Sequence, residues 1–171
     1  MAQATTRDWL DGIQKGLLQQ LTENKGALPK GFNQDRFILN SITVIRDMLR
    51  DSKKKKQLQE IDYTSIPICL AKGAFLGLDF FNGECYAIPY GGEMKFQTDY
   101  KGEIKLCKRY SKNEIKDIFA KVVREGDFFE ESVDSGVQNV IYKPLPFSNK
   151  PMVGAFAIVV FKDGSMLYDT M

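Results

Sequence analysis

Residues 85–109 read CYAIPYGGEMKFQTDYKGEIKLCKR. Two short segments rich in aromatic and aliphatic residues, Cys85 to Tyr90 and Met94 to Thr98, flank Gly91-Gly92. A glycine pair between two such segments signals a tight β-hairpin. A helix is expected next, from about Asp99 to Ser111. Tyr100, Ile104 and Cys107 form its apolar face, and Lys101, Lys105, Lys108 and Lys112 recur at helical spacing on the neighbouring face, with Arg109 beside them. A hairpin that runs straight into a basic helix is the fragment around which the remaining chain is arranged.

Upstream of it the periodicity is helical. Thr5 or Thr6 is placed to cap a first helix, whose Leu10, Ile13, Leu17 and Leu21 make an inner stripe. Gly26, Pro29 and Gly31 interrupt the pattern. Asn33 caps a second helix with the stripe Ile38, Ile42, Ile45 and Leu49, and Thr64 or Ser65 caps a third, with Ile68, Ala71 and Phe75 facing inward and Gly77-Leu78 ending it. Between the second and third lies Lys53 to Lys56, expected as a solvated surface loop or a contact to a nucleic-acid backbone. Downstream the pattern is strand-like: Ile118 to Arg124, Phe128 to Val133, Val137 to Tyr142, Val153 to Phe161 and Ser165 to Tyr168, separated by Gly126, Gly136, Pro144-Leu145-Pro146 and the hairpin pair Asp163-Gly164. The expected architecture is α+β: a helical N-terminal part, a β-hairpin, a basic helix and an antiparallel β-meander. We expect one domain over 1–171, with a mainly helical lobe over 1–81 and a hairpin–helix–meander core over 82–171.

Composition narrows the chemistry. The 171 residues contain no histidine, which removes His-based acid–base catalysis, Ser-His and Cys-His nucleophiles and His-ligated metals. The cysteines, Cys69, Cys85 and Cys107, are odd in number and lack CxxC spacing, so a disulfide framework and a zinc site are not expected; they are read as small buried or half-buried apolar residues. No phosphate-binding Gly-x-x-x-x-Gly-Lys-Ser/Thr loop occurs. There is no apolar run long enough to span a bilayer and no signal-peptide pattern, so a cytoplasmic protein without membrane partners, metal or cofactor is expected.

Net charge is only +2, but it is segregated. Tyr90 to Arg124 holds nine Lys or Arg against five Asp or Glu, whereas Glu125 to Asp134 holds five acids and no base. Single-stranded nucleic acid is held by cations at its phosphates and flat side chains at its bases. On that chemistry Lys101, Lys105, Lys108 and Arg109 are candidate phosphate ligands, with Lys95 as a further cation. Tyr100 is a candidate for sugar or base packing, or for the core. Gln97 is a hydrogen-bond donor to backbone or base edge, or an exposed strand residue. Arg124 projects toward the same groove or pairs with a carboxylate. Gly102 permits close approach of a strand, or simple helix packing. The acidic stretch either faces a basic surface of another protomer or is a solvated hairpin.

The segments Cys85-Tyr-Ala-Ile-Pro-Tyr90, Lys95-Phe-Gln97, Tyr100-Lys101-Gly102, Lys108-Arg109 and Val122-Val-Arg-Glu-Gly126 resemble, in order, those of the RecT family of phage recombination proteins. Leu28-Pro29-Lys30, Asn33 to Arg36, Gly77-Leu78 and Ala157 to Gly164 extend the likeness over nearly the whole chain. Asp99 departs from it: the family has Gly there, and Asp99 is read instead as the helix N-cap. The family continues past the last turn into an aromatic and basic C-terminal region, so a C-terminally truncated member is expected. The resemblance implies a protein that is not an enzyme, binds single-stranded DNA and the annealed duplex, pairs complementary strands without ATP in phage-type homologous recombination, assembles as a homo-oligomeric ring or filament and has a possible phage exonuclease partner. The competing readings are a single-stranded nucleic-acid module that does not anneal, a phage structural or interaction protein whose basic helix docks an acidic partner, and, ranked last, a carboxylate–metal nuclease.

Overall fold

The computed structural model describes residues 6–171. Its elements are α1 (Thr6–Glu23), a 3-10 turn (Lys25–Ala27), α2 (Gln34–Arg50), α3 (Ser52–Gln59), α4 (Ser65–Leu76), β1 (Cys85–Tyr90), β2 (Glu93–Thr98), α5 (Tyr100–Tyr110), β3 (Ile115–Arg124), β4 (Phe128–Asp134), β5 (Val137–Lys143), β6 (Met152–Phe161) and β7 (Met166–Thr170). The class is α+β, helices first and antiparallel strands after, as the sequence pattern predicts. The chain forms two compact units, one running to Leu106 and one over Cys107–Met171.

The first unit is built on the expected stripes. Leu10, Ile13, Leu17 and Leu21 of α1 are all buried. Of the two proposed caps for α1, Thr6 is its first residue and Thr5 lies outside the described residues. Gly12 and Gly16, one turn apart, let other parts of the unit come close: a Cβ on Gly16 would sit 2.9 Å from Cγ of Pro67 in α4, and one on Gly12 2.1 Å from the Tyr63 hydroxyl. That hydroxyl donates to the Trp9 carbonyl at 3.0 Å. Asn33 caps α2 as predicted, its side chain accepting from the Arg36 N–H at 2.9 Å. Ile38, Ile42 and Ile45 are buried, joined by Phe37 and Ser41, with Leu49 half-buried against them.

Three local expectations are corrected. Lys53 to Lys56 is not a loop but half of α3: Asp51 accepts from the N–H groups of Lys53 at 2.9 Å and Lys54 at 3.0 Å, an N-cap that starts a helix where lysines alone would not. The inner face of α4 is also rotated from the one expected. Ile66, Cys69, Leu70, Ala71, Gly73 and Ala74 are buried, and Ile68 is exposed. Neither Thr64 nor Ser65 caps α4 through its side chain as expected. Instead Asp62 accepts from the N–H and hydroxyl of Thr64, and the Ser65 hydroxyl accepts from the Met94 N–H of β2 at 2.8 Å. The C-terminus of α4 behaves as predicted: Gly77 takes φ 62°, its N–H reaches the Ala74 carbonyl and the Leu78 N–H the Gly73 carbonyl, which satisfies two terminal acceptors and buries Leu78.

The hairpin β1–β2 turns through Gly91 (φ 62°) and Gly92 (φ 78°), the double left-handed conformation of a two-residue hairpin turn. Cys85, Ala87 and Met94 point into the helical core, so the hairpin is a lid on the helices of its own unit. The first turns of α5 pack on the same unit through a backbone contact. A Cβ on Gly102 would lie 2.1 Å from the Glu84 carbonyl oxygen, and the Asp99 N–H donates to that oxygen at 3.0 Å. Gly102 is therefore the buried residue of the helix, with Leu106 half-buried against the core. The predicted apolar face is displaced accordingly, and Tyr100 and Cys107 are exposed.

In the second unit β3, β6 and β7 form one antiparallel sheet in the order β3-β6-β7, and the β4–β5 hairpin is inserted in the chain between β3 and its partner β6. Val123, Phe156 and Ile158 are buried, with Phe129, Val140, Tyr142, Val160, Met166 and Tyr168 packed on them. The rings of Phe129 and Tyr142 lie 5.2 and 5.1 Å from that of Phe156. The turn after β3 is tied by Asp127, which accepts from the N–H groups of Leu145 at 2.8 Å and Arg124 at 2.9 Å; the Tyr142 hydroxyl lies 3.1 Å from the same carboxylate.

Three outcomes follow from these contacts. Gly102→Ala forces a methyl group into a backbone carbonyl and should destabilise the chain by about 1–3 kcal/mol, the usual penalty of overpacking, read from denaturant unfolding. Burial pushes the Cys69 and Cys85 thiols up to about 12, whereas Cys107 is exposed, so a thiol reagent at pH 8 should label Cys107 in the folded protein and the other two only after unfolding. The backbone N–H groups of Leu145 and Arg124 hold the Asp127 carboxyl below its ordinary 3.8. Its stabilising contribution is thus present above that value and lost as pH falls through the lowered one. Asp127→Asn should lower the melting temperature at pH 7, with the difference from wild type closing in strong acid.

Candidate nucleic-acid interface

Strand alternation sorts the hairpin into two faces. While Cys85, Ala87 and Met94 face the core, Tyr86, Ile88 and Tyr90 of β1 point outward and are exposed. Their register partners Gln97, Lys95 and Glu93 stand opposite them on β2 and are also exposed. The outer face is thus a row of two aromatic rings and an isoleucine beside a row of an amide, an ammonium and a carboxylate. Tyr90 is 74% exposed at the turn end. The Tyr86 hydroxyl donates to Asp99 Oδ2 at 3.1 Å at the other end, and this hydrogen bond, reinforced by the carboxylate's charge, raises the tyrosine's pKa and keeps it neutral.

Asp99 has a second task. Its Oδ1 accepts from the Lys101 N–H at 3.2 Å, so the residue predicted to cap the basic helix does so. The start of α5 is held further by the Thr98 hydroxyl, which donates to the Glu103 carboxylate. From this start Tyr100 projects into solvent, 67% exposed, which removes the core role left open for it. The Lys101 ammonium lies 5.9 Å from the centroid of the Tyr100 ring, within cation–π range, and makes no ion pair among the described residues.

The other predicted cations differ in what already holds them. Lys95 pairs with Glu93 at 2.6 Å, an exposed contact with both side chains about half accessible; such pairs contribute about 0–1 kcal/mol and exchange readily. Lys105 is more committed. Its Nζ lies 2.6 Å from Glu84 Oε2, the same oxygen that accepts the Asp79 N–H at 2.8 Å, and Glu84 is only 18% exposed. Lys105 therefore supports the loop between α4 and the hairpin. The approach that Gly102 permits is that of the Glu84 backbone. In the second unit Lys108 lies 3.8 Å from Asp117, and the Arg109 guanidinium 6.0 Å from the Tyr110 ring centroid. Arg124 donates from Nη1 to the Lys150 carbonyl at 2.7 Å and from its backbone N–H to Asp127, so it fastens the 144–151 loop to the end of β3. Lys112, expected on the lysine face of the helix, lies beyond the end of α5.

Tyr86, Ile88 and Tyr90 were not singled out by sequence reasoning. Their signal was present in the period-two alternation of CYAIPY: with Cys85 and Ala87 inward, the three large residues can only face out. Among the described residues no group of three His, Cys, Asp or Glu side chains converges as a metal site would require. What the face offers is flat apolar surface for bases, hydrogen-bonding groups at their edges, and ammonium groups for phosphates.

The model of the RecT family matches residues 35–171, which takes in α2 through β7 and every element of this face. No curated protein matches the chain. With well over half of its length inside that match, the chain belongs to the RecT family, the ATP-independent single-strand annealing proteins of recombination.

Proposed function

We propose that this chain binds single-stranded DNA on the outer face of its hairpin and the exposed start of α5, and pairs it with a complementary strand without ATP or covalent chemistry. The observation that carries the reading is the continuous exposed row Tyr86, Ile88 and Tyr90 beside Gln97 and Lys95, leading into Tyr100 and Lys101, on a chain of an annealing family. Tyr90 and Tyr100 stack on bases or sugars, and Gln97 bonds to a base edge or to the backbone. Lys101 takes a phosphate directly, and Lys95 does so by exchanging its contact with Glu93. Because Asp99 is already engaged, its charge opposes a phosphate less than the sequence count suggests. Gly102 and Lys105 act by positioning this face. Lys108, Arg109 and Arg124 are proposed as further phosphate contacts, each loosening or sharing the partner described above. Grip of this kind is sequence-neutral, which annealing requires, since the scaffold must accept any strand and leave reading to base pairing. Assembly into a homo-oligomeric ring or filament, holding of the annealed duplex, a phage exonuclease partner and a cytoplasmic site of action belong to the same proposal and rest on the family.

Fluorescence-quench annealing of two complementary oligonucleotides, with binding of one strand measured in parallel, tests it. The wild type should accelerate pairing, less so as salt rises. Tyr90→Ala, which removes a 74% exposed ring, should weaken single-strand binding by about 5- to 150-fold, the range expected for one stacked base. Lys101→Ala should lower the salt slope of binding by about 0.7, the value for one phosphate on a single strand. Tight binding without acceleration would favour a module that does not anneal; absence of binding at any salt would overturn the proposal.

A further inference from the structure

The lysine run Lys53 to Lys56 is not used by the face just described, and its placement runs against helix physics. The four residues follow Ser52, the first residue of α3, and so lie in the helix's N-terminal part just after the cap Asp51. Cations near a helix N-terminus oppose the helix dipole, and like charges three or four residues apart repel. Neither penalty is offset by ion pairing, since none of the four ammonium groups meets a carboxylate within 4.0 Å among the described residues, whereas Arg50 just before them pairs with Asp47 at 2.9 Å. All four lysines are exposed, and one buried residue, Leu58, anchors the helix. The Asp51 cap alone offsets these penalties, and four lysines set against that one carboxylate point to a role outside the fold.

The position of α3 says what that role is. It packs beside β1, and just after it the Asp62 N–H donates at 2.7 Å to the carbonyl of Gly92 in the hairpin turn. The helix that bears the lysines thus lies beside the hairpin, and the segment that follows it is bonded to the hairpin turn. The lysines have charge but no aromatic neighbour of their own on α3, which suits phosphates and not bases. An annealing surface has to bring a second polyanion against the first, and the cations on the hairpin face serve the strand already there.

We infer that α3 is a separate phosphate-binding track for the incoming DNA strand, with Lys53, Lys54, Lys55 and Lys56 neutralising its backbone while its bases test pairing with the strand on the hairpin. This rests on the proposed function. A full-length variant with all four lysines changed to Gln keeps a good helix former at each position and leaves Asp51 and Leu58 in place. A fourfold Arg variant keeps the charge.

Affinity for a single labelled strand of about 16 nucleotides, the upper site size of a single-strand groove, is measured alongside the annealing rate with its complement. The Gln variant should bind the first strand within about twofold of wild type while annealing at least about tenfold more slowly at low salt. The salt slope of second-strand capture should fall by about 3, the sum for four phosphates on a single strand. The Arg variant should anneal like wild type. Annealing by the Gln variant at the wild-type rate would overturn the inference, as would a loss of first-strand affinity equal to the loss of annealing, which would put the lysines in the first strand's own site. Failure of the wild type to bind any single strand is a different result: it removes the reading of the hairpin face and this inference with it.

Discussion

One backbone carbonyl, that of Glu84, fixes the geometry of the candidate surface. It accepts the Asp99 N–H, which closes the hairpin one residue beyond the last register pair Cys85–Thr98, and it lies where a side chain on Gly102 would have to go. The helix can therefore begin only at that distance and angle from the strand. The Glu84 carboxylate completes the junction by holding the Asp79 N–H on one side and the Lys105 ammonium on the other. Asp79 in turn accepts from Asn40 of α2, so the joint between hairpin and basic helix is referred back to the helical core. Tyr100 and Lys101 project as they do because the residue after them has no side chain.

The same junction separates cations that hold the protein from cations that remain for a ligand. By count, the lysines of the basic helix are equivalent. In three dimensions Lys105 is bound to a poorly accessible carboxylate, Lys108 approaches Asp117, and Lys101 meets the neighbouring tyrosine ring and makes no ion pair among the described residues. Removing Lys105 would leave Glu84 partly buried without its counter-charge, a structural defect that a binding assay on its own would register as lost affinity.

What was legible in the sequence was what periodicity and turn chemistry encode. The stripes of α1 and α2, the Gly91-Gly92 turn, the Asn33 and Asp99 caps and the Gly77 terminus follow from short-range rules, and all have the predicted form. The misses are places where a distant partner decides. The inner face of α4 is set by contacts with α1 and β2, and in so apolar a helix nearly every face could have been the buried one, which is why Ile68 was misplaced. The face of α5 is set by the Glu84 carbonyl, which favours a glycine over the aromatic and aliphatic residues that spacing selects. Lysine composition masked α3, because its one-residue cap is a weaker signal than four charges in a row. Tyr86 and Tyr90 were hidden by the reverse bias: aromatic residues in a strand are first read as core, and only the small inward residues between them show that they face solvent.

Asp51 belongs to two helices at once, as the C-cap of α2 and the N-cap of α3. A corner of one residue contains no linker, so α3 cannot swing on a tether as a basic tail would. Its orientation is fixed by the same carboxylate that starts it, and that carboxyl is itself held in its ionised form by the Lys54 and Lys53 N–H groups and the neighbouring ammonium charges. The lysine side chains retain their rotamer freedom, but the backbone that carries them is already ordered before any partner arrives. Preorganisation of this kind removes backbone ordering from the entropic penalty that a disordered basic segment incurs on binding.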